Sequence, residues 1–506
     1  MQSATLEPTE IPVSASGGRV VKNTGALLVS QLLTWSFTLL LALFMPRYLG
    51  PEANGILAIA ISIWSILQVL IGFGMDTHLV KQIARDPEQI YTFLGTTFLV
   101  KSIFYVLCLL PLTLVLWLLK MPLEAVVVVQ LMGVSFFVAA LASGTQATLQ
   151  GLEIMEYISI SNVASRALNS LLGIGVLLLG FGLYAVTGVM IAASVVLLLA
   201  QLYFLQRYRP LRLGFDYTRI IPLLRSSLPY VATALVMVGY AQLNVLMIGL
   251  MMSTTEAGWY GSAVQLFGTL LFLPVAFATA LLPQMTRSFS SDATALPIML
   301  RKSVELVLLV GVPIGLGLVA VAKPLVALLF GAAYGPTGPV LQVLGLALIF
   351  MYLNVLIGQF FISVDRQNVW TVVIAVSVAL MASLTYFLVP LCQRLFGNGA
   401  LGGAFSLLAA EAIMVLIGAV LLRGQLISRA LLWSSARILF AGVVMLAVIW
   451  PVQGAVLALP IILGMVVYLG LILLLRVVPR EDLAVLQTFL GSILGRLRPR
   501  ASGDTR

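Results

Sequence analysis

The sequence predicts an all-α integral membrane protein with fourteen transmembrane helices. Three observations carry that expectation. Of the 506 residues, 61% are hydrophobic and 9% charged; mean hydropathy is +1.10; and long apolar runs are separated by connections of which every second one is basic. A soluble domain carries about 25% charged residues, so water is the wrong solvent for most of this surface. A spanning helix needs about 20 apolar residues, and unbroken runs of that length are unlike the short alternating segments of a β-barrel.

Taken in order, residues 1–24 are polar at the start, rich in Ser, Thr and Pro, and lack an apolar core. They read as a disordered cytoplasmic tail, not a signal peptide. Six spans follow, near 25–46, 54–74, 94–119, 123–148, 159–180 and 183–205, and make a first lobe, 25–205. Residues 206–226 carry five arginines and read as a cytoplasmic linker. A second lobe, 227–422, holds spans near 227–250, 256–283, 303–322, 336–362, 369–390 and 399–422. An appended pair, 432–451 and 454–475, fills 423–475, and 476–506 is a basic cytoplasmic tail.

The lobes echo one another. Glu52-Ala53-Asn54-Gly55 opens the second span and Thr255-Glu256-Ala257-Gly258 the eighth, with the glycines 203 positions apart. Gln150-Gly151-Leu152-Glu153 ends the fourth and Ile362-Ser363-Val364-Asp365 the tenth, with the acids 212 apart. Corresponding spans are an even number apart, so the halves enter the membrane the same way round, as parallel repeats.

Orientation follows from Lys and Arg. The tails and even-numbered connections hold 22 of them; the odd connections hold only Arg47, Lys120, Lys323 and Arg394. Both termini are therefore expected in the cytoplasm. The formal charge of +10 is absorbed by this sorting and by anionic lipid at the cytoplasmic leaflet, so no nucleic-acid partner is called for.

Chemistry of other kinds finds no foothold. Without a Gly-Lys dipeptide there is no phosphate-cradling Walker loop, and His78 is the only histidine. Cys108 and Cys392 sit at span positions with no disulfide or metal spacing. Gly397-Asn398-Gly399-Ala400-Leu401-Gly402 matches a dinucleotide fingerprint in form but follows no strand. The expectation is a transporter that is not an enzyme and has no cofactor.

The stretch Arg47-Tyr48-Leu49-Gly50-Pro51-Glu52-Ala53-Asn54-Gly55 resembles a hallmark of polysaccharide-type flippases. Residues 72–87, Glu256-Ala-Gly-Trp-Tyr-Gly and Leu281-Leu-Pro-Gln-Met are similar to segments of the same family, within the multidrug/oligosaccharidyl-lipid/polysaccharide exporter superfamily. The resemblance implies an exporter (MATE-like) fold in the bacterial inner membrane, two lobes alternating between inward-open and outward-open forms, and a substrate of sugars on a polyprenyl diphosphate. A polysaccharide polymerase and a chain-length regulator are the partners it implies.

Polar residues inside the spans are the site candidates. Arg166, with Asn162 and Asn169 on the same helix face, and Lys101 lie toward the cytoplasmic end of their spans. There they either capture an arriving diphosphate or snorkel to the interface. Glu411 falls midway along its span, where a carboxyl suits a coupling H+ or Na+, or is held neutral or paired by burial. Gln31, Gln68, Gln146, Gln150, Gln242, Asn244, Gln265, Asn354 and Gln359, with Tyr240 and Tyr352, either line a wet cleft or join helices. Pro274 and Pro313 mark bends.

The leading reading is a flippase for polyprenyl-diphosphate-linked oligosaccharide repeat units. An ion-coupled multidrug antiporter of the same superfamily is the alternative. The orientation has a direct check: single cysteines introduced within 206–226 react with a membrane-impermeant reagent only when the cytoplasmic side is opened, and labelling of intact cells overturns the topology.

Overall fold

The computed structural model describes residues 14–208, 214–291, 295–422, 424 and 428–477. The remainder of the expected tails and linker, with Arg209, Arg212 and Arg480 among them, lies outside the described residues, as does Arg423 at the start of the appended segment. The elements are helical throughout: α1 Ser14–Gly72, α2 Met75–Arg85, α3 Ile90–Leu118, α4 Leu123–Gly151, α5 Met155–Leu178, α6 Gly182–Tyr208, α7 Ile220–Met251, α8 Thr254–Leu270, α9 Phe272–Ser291, α10 Ala295–Phe330, α11 Thr337–Ser363, α12 Gln367–Phe396, α13 Ala400–Leu421, α14 Arg429–Ile449 and α15 Ala458–Leu474. Because α1 begins at Ser14, residues 14–24 are helical where the composition predicted disorder.

Among the described residues, eleven helices are long and apolar enough to cross a membrane. The difference from fourteen has local causes. The first two expected spans run together because the chain kinks at Gly50 instead of looping out. Gly50 sits at φ 77, ψ 168, a region open essentially to glycine alone, and Pro51 follows as the first residue of the resumed helix, where its missing N–H costs nothing. α5 carries Ser159, Ser161, Asn162, Ser165, Arg166, Asn169 and Ser170, and stays outside the apolar set. α15 is apolar but has only 17 residues.

Contact density divides the chain into two compact units. The first comprises Met1–Thr269, Val326–Val340 and Ile374–Ser406; the second comprises Leu270–Leu325, Leu341–Val373 and Leu407–Arg506. In the first, α1 packs on α5, and α4 on α6. Their core gathers Leu41, Leu57, Trp64, Val128 and Met132, with the Trp64 indole donating to the Val129 carbonyl at 2.7 Å. A second core joins the apolar face of α2 (Leu79, Ile83) to Ile90, Leu94, Leu149 and Leu205.

In the second unit, Pro274 removes the N–H that would bond the Leu270 carbonyl, and the helix breaks between α8 and α9. The Tyr352 hydroxyl takes over that carbonyl at 2.7 Å. The expected bend at Pro274 is thus a discontinuity with its freed acceptor satisfied by a side chain. Pro313, by contrast, lies within the unbroken α10.

The internal echo has structural counterparts. Glu153 and Asp365 both take left-handed backbone, at φ 60 and φ 56. Each closes its helix in the same way: Ile154 N–H bonds the Leu149 carbonyl at 3.0 Å, and Arg366 N–H bonds the Phe361 carbonyl at 2.8 Å. Gly55 and Gly258, matched in sequence, meet within the first unit. A Cβ on Gly55 would overlap the Thr254 carbonyl, and one on Gly258 would overlap the Pro51 carbonyl. The Asn54 amide, donating to the Ser262 hydroxyl at 3.0 Å, flanks the crossing.

Gly258→Ala is therefore expected to destabilise the protein by about 3 kcal/mol, as overpacking does in a tight interior. Gly188→Ala, whose Cβ meets nothing within 4 Å, leaves stability unchanged or slightly raised. Thermal unfolding of the purified variants compares the two, and an equal effect contradicts the backbone crossing.

Candidate functional site

Two polar clusters in the first unit and one in the second hold most of the buried candidates. The first begins where α1 ends. Phe73 (φ 44) and Gly74 (φ 67) turn the chain, and α2 then lays Met75, Leu79 and Ile83 inward. Asp76, next in line, meets Lys101 of α3. The Lys101 ammonium, 0% exposed, bonds Asp76 Oδ1 at 2.6 Å. It also donates to the Ala140 carbonyl at 2.8 Å and the Ser143 hydroxyl at 2.9 Å, both on α4. An ammonium has three protons, and all are used here. A buried charge is tolerable only when paired and fully hydrogen-bonded, so α2, α3 and α4 are fastened at one point.

Beside the pair lies a groove of about 300 Å³, lined by Asp76, Thr77, Lys81, Ser143, Gln146 and Gln150. Asp76 is 37% exposed. Lys81 donates to the Tyr230 hydroxyl at 2.8 Å and lies over its ring.

The second cluster centres on Asn244 of α7. Its amide nitrogen lies 3.0 Å from the Tyr260 hydroxyl and 3.1 Å from the Gly403 carbonyl. The Thr385 hydroxyl donates to its oxygen at 2.7 Å and lies 2.6 Å from the Ser406 hydroxyl. Asn244 therefore joins α7, α8, α12 and α13. Nearby in sequence, Gln242 accepts from the Ser62 hydroxyl of α1 at 3.0 Å.

The third cluster, in the second unit, pairs two candidates. Asn354 of α11 donates to Glu411 Oε2 at 2.7 Å and to the Glu411 backbone carbonyl at 3.0 Å. Glu411 is 0% exposed. The Asn354 side-chain oxygen is buried and has no hydrogen-bond partner among the described residues.

On α5 the serines and Arg166 face different ways. Ser165 donates to the Ala193 carbonyl of α6 at 2.8 Å and Ser170 to the Phe37 carbonyl of α1 at 2.6 Å, while Arg166 is exposed and Asn162 and Asn169 half-buried. The Asn169 side-chain oxygen has no hydrogen-bond partner among the described residues. Among the described residues no hydrogen bond joins Arg166 to Lys101. Gln31 is exposed; Gln68, Gln265, Gln359 and Tyr240 are half-buried.

Asp76 is the residue that sequence reasoning passed over. The available signal was an acid at the first turn of an amphipathic segment ending in Lys81 and Arg85, since such an acid faces either water or a buried cation. Glu256, buried at the start of α8 and close against Gly399, was likewise seen only as part of a motif.

A chain of long apolar helices whose Lys and Arg residues lie mostly in the connections and tails is a multi-pass membrane protein. Residues 44–339 match the model of a family described as polysaccharide biosynthesis protein, and the chain belongs to that family. It is 25% identical over 342 residues to the succinoglycan biosynthesis transport protein ExoT of Rhizobium meliloti (strain 1021), a match covering 65% of this chain and 66% of the relative's length. Its fold is similar to that of the lipid II flippase MurJ in an inward closed conformation, at TM-score 0.68 and 16% identity, covering 90% of this chain and 99% of that one. It also resembles an inward-facing multidrug resistance MATE family transporter of the MOP superfamily, at TM-score 0.62 and 16% identity, covering 77% and 95%.

Removing Asp76 while keeping Lys101 leaves a buried cation without its counter-ion, at a cost of about 3–5 kcal/mol. Asp76→Ala should therefore lower the unfolding temperature sharply. Asp76→Ala combined with Lys101→Met should recover most of the loss. A double variant no more stable than the single one contradicts the pairing.

Proposed function

We propose that this protein is a flippase that moves polyprenyl-diphosphate-linked oligosaccharide repeat units across the bacterial inner membrane for surface polysaccharide synthesis. The observation that carries the reading is the family match over residues 44–339. The succinoglycan transport relative supports it. Physically, a diphosphate and a string of hydroxyls cannot enter hydrocarbon unaided, because each desolvated polar group costs several kcal/mol. The polyprenyl tail stays in the bilayer while a polar path passes the headgroup.

In this reading the chain has fourteen spans, counting the two arms of α1 on either side of Gly50, the polar α5 and the short α15. They form two parallel six-helix lobes, 25–205 and 227–422, with an appended pair, and both termini are cytoplasmic. The lobes alternate between inward-open and outward-open forms, and the Gly55–Gly258 crossing closes one end of the path. Arg166, flanked by Asn162 and Asn169, receives the diphosphate; an exposed guanidinium offers the bidentate fork that such a group favours. Gln31, Gln68, Gln146, Gln242 and Gln359 are lining residues. A polymerase and a chain-length regulator act on the delivered units.

Glu411 is the coupling group. Its carboxyl and the unpartnered oxygen of Asn354 are the acceptors that a proton or Na+ requires in a dry interior.

Complementation of a strain lacking its surface polysaccharide exporter tests both assignments. Arg166→Ala abolishes export and Arg166→Lys partly restores it, while Glu411→Gln removes the dependence of transport on the proton or sodium gradient. Wild-type export by Arg166→Ala, or an unchanged gradient dependence in Glu411→Gln, contradicts the respective role.

A further inference from the structure

We infer that the groove between α2 and α4 is a binding site for a sugar ring, and that it reads the glycan portion of the substrate separately from the diphosphate. The inference rests on the flippase reading and goes further by assigning the ligand chemistry of one site.

The groove's walls decide between ligands. One wall is the carboxylate of Asp76, whose Oδ1 is held by Lys101 at 2.6 Å, which leaves Oδ2 for a ligand. The other lining groups include two amides (Gln146, Gln150) and two hydroxyls (Thr77, Ser143). A carboxylate is acceptor-only, and an amide both donates and accepts. Together they match the adjacent hydroxyls of a sugar, which must donate and accept at once. Bonds from hydroxyls to a carboxylate are stronger than neutral ones.

A diphosphate is poorly served by the same walls. Asp76 repels it, and the Lys101 ammonium behind Asp76 and Ser143 has spent all its protons inside the protein. Lys81, the lining cation, gives one proton to Tyr230, and its single charge is matched by that of Asp76 in the same lining, so the groove offers a dianionic group no net positive charge. The cavity of about 300 Å³ lies at the small end of the range for ligand sites. It has room for a sugar ring but not for a whole repeat unit.

Lys101 acts here as a positioning residue. It fixes the carboxylate of Asp76, and through Ser143 it also orders the opposite wall. The arrangement assigns Lys101 to the sugar end of the substrate and leaves diphosphate contact to Arg166.

The experiment compares two probes on the purified full-length protein in lipid nanodiscs: a polyprenyl diphosphate bearing one hexose, and the same polyprenyl diphosphate without sugar. Wild type is expected to bind the glycosylated probe about tenfold more tightly, the worth of one or two added hydrogen bonds. In Gln146→Ala/Gln150→Ala, two groove residues outside the core, the preference for the glycosylated probe over the bare carrier falls to near unity. Equal affinity of wild type for both probes, or a preference that survives the double substitution, overturns the groove as a sugar site and leaves the flippase reading standing. Failure of wild type to bind either probe overturns both.

Discussion

Hydrocarbon offers no partner to a polar group, so every polar contact among these helices must be completed inside the protein. That constraint explains the most detailed features of the structure. Where Pro274 strips the Leu270 carbonyl of its helical donor, the Tyr352 hydroxyl supplies another at 2.7 Å. Lys101, whose charge has no water to meet it, gathers three acceptors from two other helices. Asn244 is enclosed by Tyr260, Thr385, Ser406 and the Gly403 carbonyl. Satisfying the polar group and joining the helices are here the same act, which is how polar residues join helices in a membrane.

Three departures from that rule enter the proposed function. The Asn354 oxygen is buried without a donor next to the Glu411 carboxyl. Asp76 presents its carboxylate to a groove instead of sealing it away. Arg166 projects uncovered from the helix with the most polar sequence among the expected spans of the first lobe. In the proposed reading these groups take different tasks: a carboxylate and amides for hydroxyls, a guanidinium for a diphosphate, a dry acceptor pair for a coupling ion.

Much of this was legible in the sequence. Apolar length placed most of the helices, because it follows from the thickness of the bilayer itself. The paired motifs at Gly55 and Gly258 were visible as an echo. Their contact was not, since two glycines 203 positions apart announce small size but not which backbone fills the gap. Gly50 was read within a connection because Arg47 and Pro51 flank it, whereas the chain needs only one left-handed residue to turn a loop into a kink. The partner of Lys101 was hidden for a different reason: Asp76 reaches it only after Phe73 and Gly74 redirect the chain, a consequence of two backbone angles and not of any spacing. Arg166 and Glu411 stood out at once, because an ionisable residue in an apolar run is conspicuous whatever its neighbours prove to be.

Movement of a sugar-bearing lipid across a bilayer can be followed in a reconstituted system. Purified protein is placed in liposomes loaded in the inner leaflet with a polyprenyl diphosphate carrying a short oligosaccharide, and the appearance of the glycan outside is followed with an external lectin. A flippase gives lectin binding that rises with time at a rate proportional to protein content, well above protein-free vesicles. A rate equal to that of protein-free vesicles, from protein that instead exchanges organic cations for H+ or Na+, would contradict it and identify a drug antiporter on the same fold.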